Sequence, residues 1–264
     1  MTNDKFRLIP LLEASGKVQM AIDEWLLEQH RLGLHPPALR FYTWSPAAIS
    51  LGYHQRRWPD FWEDLSWENT KLDLVRRPTG GRAVLHQGDL TYAVITSGIS
   101  GNRMQVYQKL CEFLIVGWRS LGVNLHYGKA GRSYIHNPNC FATATGADLL
   151  LENGSKLIGS AQVYRDGAIL QHGSMQLQPD KSLFSEVFPD AEPPTINLPM
   201  IQKEETLIES VMPALISAAE SCFNTELVLH PLSDFEWQSI HAQLNLNPGS
   251  SLVRKSLTIA SNHP

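Results

Sequence analysis

Cysteine is scarce in this chain. There are three in 264 residues, an odd number with no Cys-x-x-Cys pair, so no disulfide framework can be read and a reducing cytoplasm is expected. No run of about 18 apolar residues occurs, which argues against a transmembrane helix. Met1 to Pro10 lacks the apolar core of a secretory signal. The ten histidines fall into neither HxxxH nor HExxH, so a metal site has no support. Basic residues are not in excess: 22 Lys and Arg stand against 26 Asp and Glu, a net charge of −4. That removes the global positive field of a nucleic-acid binder. Repeats, low-complexity tracts and domain linkers are also missing. What remains is 43% hydrophobic and 18% charged residues, a globular composition. The expectation is a single domain over residues 1–247 with a weakly ordered tail over 248–264, monomeric, without membrane or nucleic-acid partners.

The layout alternates helix and strand. Val18, Ala21, Ile22, Trp25 and Leu26 recur at i, i+3, i+4, i+7 and i+8 and predict an amphipathic helix of about four turns. Leu39–Trp44 and Ala48–Tyr53 read as strands around Ser45-Pro46, followed by Lys71–Val75, a strand ending at His86, and Leu90–Thr96. Val106, Leu110, Phe113, Leu114 and Leu121 predict a second helix. A long polar loop covers residues 128–147, a length that usually signals function. Two hairpins follow, turning at Asn153-Gly154 and Asp166-Gly167, dipeptides that accept the positive φ of type I′ turns. Residues 179–199 read as a Pro-rich loop, and Ile208 to Phe223 as a third helix. Leu229–Leu246 suggests a strand and a short helix.

The most informative stretch is Arg76-Arg77-Pro78-Thr79-Gly80-Gly81-Arg82-Ala83-Val84-Leu85-His86. Adjacent glycines let a backbone approach a ligand closely or take φ > 0. Three guanidiniums within seven residues are costly to assemble unless anionic or carbonyl-rich partners lie among them. A plain surface hairpin needs neither device, so a binding loop is expected here. Arg76 is equally open to a second role, an inward-facing salt bridge that braces the loop.

Cys111 and Cys222 lie in apolar helical patterns and read as buried hydrophobes. Cys140 sits among small and polar residues in the long loop, where packing does not account for it. A nearby cation would favour its thiolate, the reactive form. Lys156 is the candidate, opening Lys156-Leu157-Ile158-Gly159-Ser160-Ala161-Gln162. The alternative for a lysine at a hairpin tip is simple solvation. Gly159 and Ser160 thin that strand and suggest close approach of a ligand or backbone. His172 and Gly173, in Ile169-Leu170-Gln171-His172-Gly173-Ser174, are more readily structural than catalytic.

These segments, with Ala21-Ile22-Asp23-Glu24 and Ala48-Ile49-Ser50-Leu51-Gly52, resemble the lipoate- and octanoate-handling relatives of biotin protein ligase, in order over roughly residues 6 to 225. The resemblance implies an α/β (α+β type) fold, a mixed, largely antiparallel sheet flanked by helices as in class II synthetase cores. It also implies a medium-chain acyl group in a tunnel beside the Gly-Gly loop, and delivery to a carrier-domain lysine. ATP-dependent lipoate ligases typically read Gly-Gly-Gly where this chain has Arg82, and generally need an accessory domain for which 264 residues leave no room. The Cys-dependent octanoyltransferases read Thr-Gly-Gly-Arg-Ala-Val-Leu-His and place Cys-Phe in the loop before the hairpins, where Cys140-Phe141 stands here.

The implied reaction moves octanoyl from acyl carrier protein through a Cys140 thioester to a lipoyl domain such as the glycine cleavage H protein, with no cofactor. Lys156 and backbone groups near Gly159 and Ser160 would hold the oxyanion, with Ala161 among the substrate-binding residues. The base that frees the acceptor amine is left open between Lys156 and the departing thiolate. Thr79, Gly80, Gly81 and His86 would line the tunnel, with His172 and Gly173 beside it. Arg76, Arg77 and Arg82 would meet phosphopantetheine or acidic carrier surfaces. An octanoyl amidotransferase, an ATP-dependent lipoate ligase and a non-catalytic lipoyl-domain binder are the alternatives.

Overall fold

A computed structural model describes residues 5–128, 148–198 and 207–246. The expected loop cysteine, Cys140, and the expected tail over 248–264 lie outside the described residues.

Strand β1 (Phe6–Ala14) runs into helix α1 (Gly16–Arg31) and then β2 (Ala38–Trp44), the first unit of the fold. The apolar stripe of α1 is buried, and its first N–H, on Gly16, is capped by the Asp73 carboxylate at 2.8 Å. After β3 (Ala48–Leu51) and a 3₁₀ turn (Asp60–Glu63) come β4 (Ser66–Trp67), β5 (Thr70–Lys71), β6 (Asp73–Arg76) and β7 (Val84–His86). The single strand expected over 71–75 is broken at Leu72, whose N–H bonds to the Leu65 carbonyl while its side chain enters a tryptophan-lined core. Next are β8 (Asp89–Ser97) and α2 (Arg103–Ser120), opened by a reciprocal Asn102–Gln105 capping box.

Strands β9 (His126–Tyr127), β10 (Leu149–Leu150), β11 (Lys156–Arg165) and β12 (Ala168–Gln176) follow. The turn between β11 and β12 has Asp166 at φ 46° and Gly167 at φ 87°, as its Asp-Gly sequence requires. Within the expected Pro-rich loop the structure forms a helix, α3 (Lys181–Val187), capped by the Asp180 side chain. Its buried Leu183, Phe184 and Val187 have helical spacing, but seven residues are too few for periodicity to stand out. The chain ends with α4 (Leu207–Phe223), β13 (Leu227–Leu229) and α5 (Asp234–Leu246).

The large sheet has the order β13-β1-β2-β8-β12-β11-β10-β9. Two pairings are parallel, at β13–β1 and β1–β2, and the remaining five are antiparallel. The mixed, largely antiparallel sheet inferred from sequence is what forms. Helices α2 and α4 bury one face against Phe41, Tyr92 and Val94. Helices α1 and α5 cover the other, packing on Tyr42, Trp44, Ala93 and Leu170. A three-stranded sheet, β6-β3-β7, carries the Gly-Gly loop and has its own core around Trp58, Trp62 and α3. Among the described residues, no helix is long and apolar enough to cross a membrane.

Candidate active site

The Gly-Gly loop joins β6 to β7 and lies over the α1-side face of the large sheet, enclosing a cavity of about 290 Å³. Register explains its floor. Tyr42 on β2 pairs with Thr91 on β8, Thr91 with Ser174 on β12, and Ser174 with Gly159 on β11. Paired residues share a face, so this row crosses four strands beneath the loop, and all four residues line the cavity.

Arg77 builds the roof. Its guanidinium donates to the carbonyls of Ser50, Gly80 and Arg82 at 2.7–2.8 Å and to Ser50 Oγ at 3.1 Å. The carbonyl-rich partners that the arginine cluster called for are therefore the protein's own. Arg76 takes the bracing role, through the carbonyls of Gly52, Tyr53 and Gln55 rather than through the expected salt bridge, and it does not line the cavity. Burial lowers the pKa of its guanidinium, with Arg56 adding to the effect. Arg82 is half-buried and likewise absent from the lining. Gly81 has φ +100°, and a side chain there would run into Arg77 Nη2. A Cβ on Gly52 would overlap the Gly81 carbonyl oxygen, whereas a Cβ on Gly80 would meet only open space. Gly80 is thus the glycine that keeps the roof thin over the cavity it lines.

Two buried Asp–His pairs hold the walls. His86 Nδ1 donates to Asp89 Oδ2 at 2.8 Å, and Asp89 also accepts from Thr91 and Ser174 hydroxyls. Burial pushes the His86 imidazole pKa down against the pull of Asp89. A neutral ring with its proton on Nδ1 leaves Nε2 to accept from Ser50 Oγ at 2.8 Å. Trp44 stacks on that ring at 3.8 Å and donates to Thr91. In the second pair, His172 Nδ1 donates to Asp23 Oδ2 at 2.8 Å while Nε2 lies 2.6 Å from Thr79 Oγ1. Asp23 further accepts from Arg40 at 2.8 Å and from the Tyr42 hydroxyl at 2.9 Å. Burial, reinforced by Asp23, drives the Tyr42 phenol pKa well up and keeps it a donor. Thr79 is buried and roofs nothing directly; it ties the loop, through His172 and Asp23, to helix α1.

At the β11 side the cavity is lined by Gly159, Ser160, Ala161, Gln162, Tyr107 and Asp148. Lys156 is not the solvated hairpin-tip lysine of the alternative reading. It is 6% exposed and donates to Asp148 Oδ1 at 2.8 Å. Strand β10 pairs with β11 only as far as Ile158. Beyond it, every second residue of β11 turns its N–H and C=O away from β12, toward an edge to which no described strand pairs. Gly173 allows this packing, because a Cβ there would overlap Ser160 Oγ and crowd Tyr92. Cys111 is buried as expected, with burial pushing its thiol pKa up to about 12. Cys222 is only half-buried. Neither is poised as a nucleophile.

The structure therefore gathers Arg77, Gly80, Gly81, His86, Gly159, Ser160, Ala161, His172 and Gly173 around one cavity, with Lys156 bound to its lining residue Asp148. Asp23, Ser50, Asp89 and Asp148 carry the site's polar framework but received no role from sequence. Asp148 had a readable signal, a lone carboxylate entering the apolar run Leu149-Leu150-Leu151.

Residues 15–220 match the model of the lipoyl protein ligase A/B catalytic domain. The chain belongs to this family. Octanoyltransferase LipM of Lysinibacillus sphaericus is 38% identical over 187 residues, 67% of each chain. Octanoyltransferase LipM of Bacillus subtilis is 35% identical over 202 residues, 71% of each. Among solved structures, a T. acidophilum protein with bound lipoic acid has a TM-score of 0.75 at 23% identity, over 92% of this chain and 95% of that one. Lipoate-protein ligase A bound with ATP has a TM-score of 0.72 at 24% identity, with the same shares covered. These two structures share the lipoyl protein ligase fold described above.

Proposed function

We propose that this member of the family is an octanoyltransferase of lipoate biosynthesis, working through a Cys140 thioester. Relatives 34–38% identical over about 70% of the chain carry the name octanoyltransferase, which supports acyl transfer of this kind. The observation that carries the reading is the cavity itself. The side chains of its floor and walls, Ser50, His86, Asp89 and Ser174 among them, satisfy one another, and a buried ammonium–carboxylate pair stands at its β11 end. Cys140 precedes Asp148 by eight residues in the chain.

The Cys140 thiolate attacks the thioester carbonyl of an octanoyl carrier protein, the tetrahedral adduct collapses, and the carrier's thiolate leaves. The Lys156 ammonium and the outward N–H groups of Ser160 and Gln162 on β11 stabilise the oxyanion, a role typically worth about 3 kcal/mol per donor. The neutral amine of a lipoyl-domain lysine then attacks the acyl-enzyme. The C–S bond breaks, and the proton lost by the amine restores the Cys140 thiol. Held by Asp148, Lys156 serves as a donor, which leaves the base role to the departing thiolate. The donor is octanoyl-acyl carrier protein and the acceptor a lipoyl domain such as glycine cleavage H protein. Both are small acidic carriers suited to the exposed arginines Arg56 and Arg57 near the loop.

Intact-mass analysis after incubation with octanoyl-carrier protein tests this reading. A single octanoyl adduct, labile to hydroxylamine and absent from Cys140→Ala, is expected. An adduct that survives that substitution overturns the thioester route. Strict dependence on ATP with free octanoate would make the chain a ligase, and transfer only between lipoyl domains an amidotransferase.

A further inference from the structure

The face of the large sheet packed against α2 is apolar around Phe41, Val94 and Ile169. A cluster of polar side chains interrupts it behind the β11 end of the cavity. Gln171 on β12 is the hub of that cluster and is fully buried. Its amide nitrogen donates to the Tyr92 hydroxyl at 3.0 Å and to Cys111 Sγ at 3.2 Å. Its amide oxygen accepts from Gln162 Nε2 at 2.6 Å. Tyr92 in turn donates to Ser160 Oγ at 2.8 Å, passing over Gly173, which stands between the two in the register. Tyr107, one turn before Cys111 on α2, reaches the same Ser160 hydroxyl. Burying an amide costs free energy unless its groups find partners, a cost that leucine at the same place would not carry. A bonded polar network of this kind rigidifies the core around it.

What the network holds is the edge of the sheet. Ser160 and Gln162 on β11 lie opposite Gly173 and Gln171 on β12, and their N–H and C=O groups turn away from β12. Strand β10 pairs with β11 no further than Ile158, so among the described residues no strand supports these two from the outer side. Their neighbours in the chain bond back to β12, and the tilt of the outward peptide groups is left to the side chains. Both side chains end on the Gln171 network, Gln162 directly and Ser160 through Tyr92. We infer that Gln171 is a positioning residue for acyl transfer, holding the β11 edge so that the N–H groups of Ser160 and Gln162 meet the oxyanion. The inference rests on the reading of that edge as the oxyanion site. Gln171 does not line the cavity, so it acts only through its neighbours. A misplacement of about 1 Å at a reacting centre can cost on the order of 10²-fold in rate, and an edge strand supported on one side has that freedom.

The test compares Gln171→Met, Tyr92→Phe and the double variant Gln162→Met/Gln171→Met with the unsubstituted chain. Gln171→Met keeps the length of the side chain and removes its bonding groups, and the double variant also removes the stranded partner amide. Acyl-enzyme formation from octanoyl-carrier protein is followed against donor concentration, and urea unfolding gives stability. Infrared spectra of the acyl-enzyme, made with a ¹³C-labelled carbonyl, report how strongly that carbonyl is held by donors. Gln171→Met is expected to lower the maximal acylation rate by on the order of 10²-fold, with the half-saturating donor concentration unchanged. Its carbonyl stretch should move up toward that of a free thioester. Tyr92→Phe, which loses only the link to Ser160, should show smaller changes of the same kind and decides the matter should Gln171→Met not fold. The double variant should recover stability relative to Gln171→Met but not rate or carbonyl frequency. Unchanged rate and frequency in the folded variants overturn the inference while leaving octanoyl transfer intact. Rate that returns together with stability in the double variant also overturns it, making Gln171 a structural residue only. Absence of any acyl-enzyme on the unsubstituted chain overturns the proposed function, and this inference with it.

Discussion

Asp148 Oδ1 stands 2.8 Å from Lys156 Nζ, and each side chain is 4% exposed. Breaking such a pair from one side leaves an uncompensated buried charge. Replacing both partners with apolar groups removes the problem. Lys156→Met and Asp148→Leu are each expected to destabilise the fold by roughly 3–5 kcal/mol, and the double variant by clearly less than their sum. Urea unfolding of the four proteins measures this; additive effects would mean the pair is not coupled. For the reaction, Asp148→Asn should lower the rate of acyl-enzyme formation by about 10²-fold or more through misdirection of the Lys156 donor. Stopped-flow acylation would read that loss.

Gly80 and Gly52 separate binding from folding. A methyl on Gly80, a residue that lines the cavity, meets only open space, whereas one on Gly52 collides with the Gly81 carbonyl. Gly80→Ala should fold with near-parental stability yet bind octanoate more weakly, and Gly80→Leu should fill the cavity and abolish binding. Gly52→Ala should lower stability by about 1–3 kcal/mol, the range for overpacked sites. Thermal melts alongside calorimetric octanoate binding discriminate the two. Equal loss of both properties at both positions would contradict the assignment of Gly80 to the roof.

The Asp23 carboxylate joins α1, β2, β12 and the Gly-Gly loop through Arg40, Tyr42 and the His172–Thr79 link. Asp23→Ala leaves the fully buried Arg40 guanidinium without its anion, so a loss of roughly 3–5 kcal/mol is expected. Thr79→Val removes one hydrogen bond from the edge of the same network. It should cost only about 1–3 kcal/mol and act mainly on KM for the acyl donor, with kcat held. A fall in kcat at constant KM would instead place Thr79 in the transition state.

What sequence could reveal divides along physical lines. Helices α1, α2 and α4 and the Asp166-Gly167 hairpin were legible because periodicity and turn chemistry are local. The family was legible because its motifs are contiguous. The roles of the arginines were not. A guanidinium that braces carbonyls and one that awaits an anion look alike in one dimension, and only folding shows that Arg77 bonds to Ser50, Gly80 and Arg82. Asp23 and His172 are 149 residues apart and meet only through packing of α1 on β12. Helix α3 was hidden by its shortness and by the prolines around it.

Glu236 anchors α5 to the edge of the sheet. Its carboxylate takes two bonds from Arg7, at 2.6 and 2.9 Å, and one from the Ser233 N–H at 2.6 Å. Burial alone would raise its pKa, but these donors outweigh it and bring the pKa from 4.5 down to about 2. With the folded value depressed, the stabilisation is complete above pH 4.5, where the carboxylate is charged in both states. It is lost as pH falls from 4.5 toward 2, because the unfolded chain binds the proton first. The size is on the order of 3 kcal/mol, at about 1.4 kcal/mol per tenfold difference in proton affinity. Urea midpoints between pH 7 and pH 2 should fall through that window. In Glu236→Gln the same titration should start from lower stability and lose less on acidification. Parallel curves for the two proteins would show that Arg7 and Glu236 do not supply the acid sensitivity.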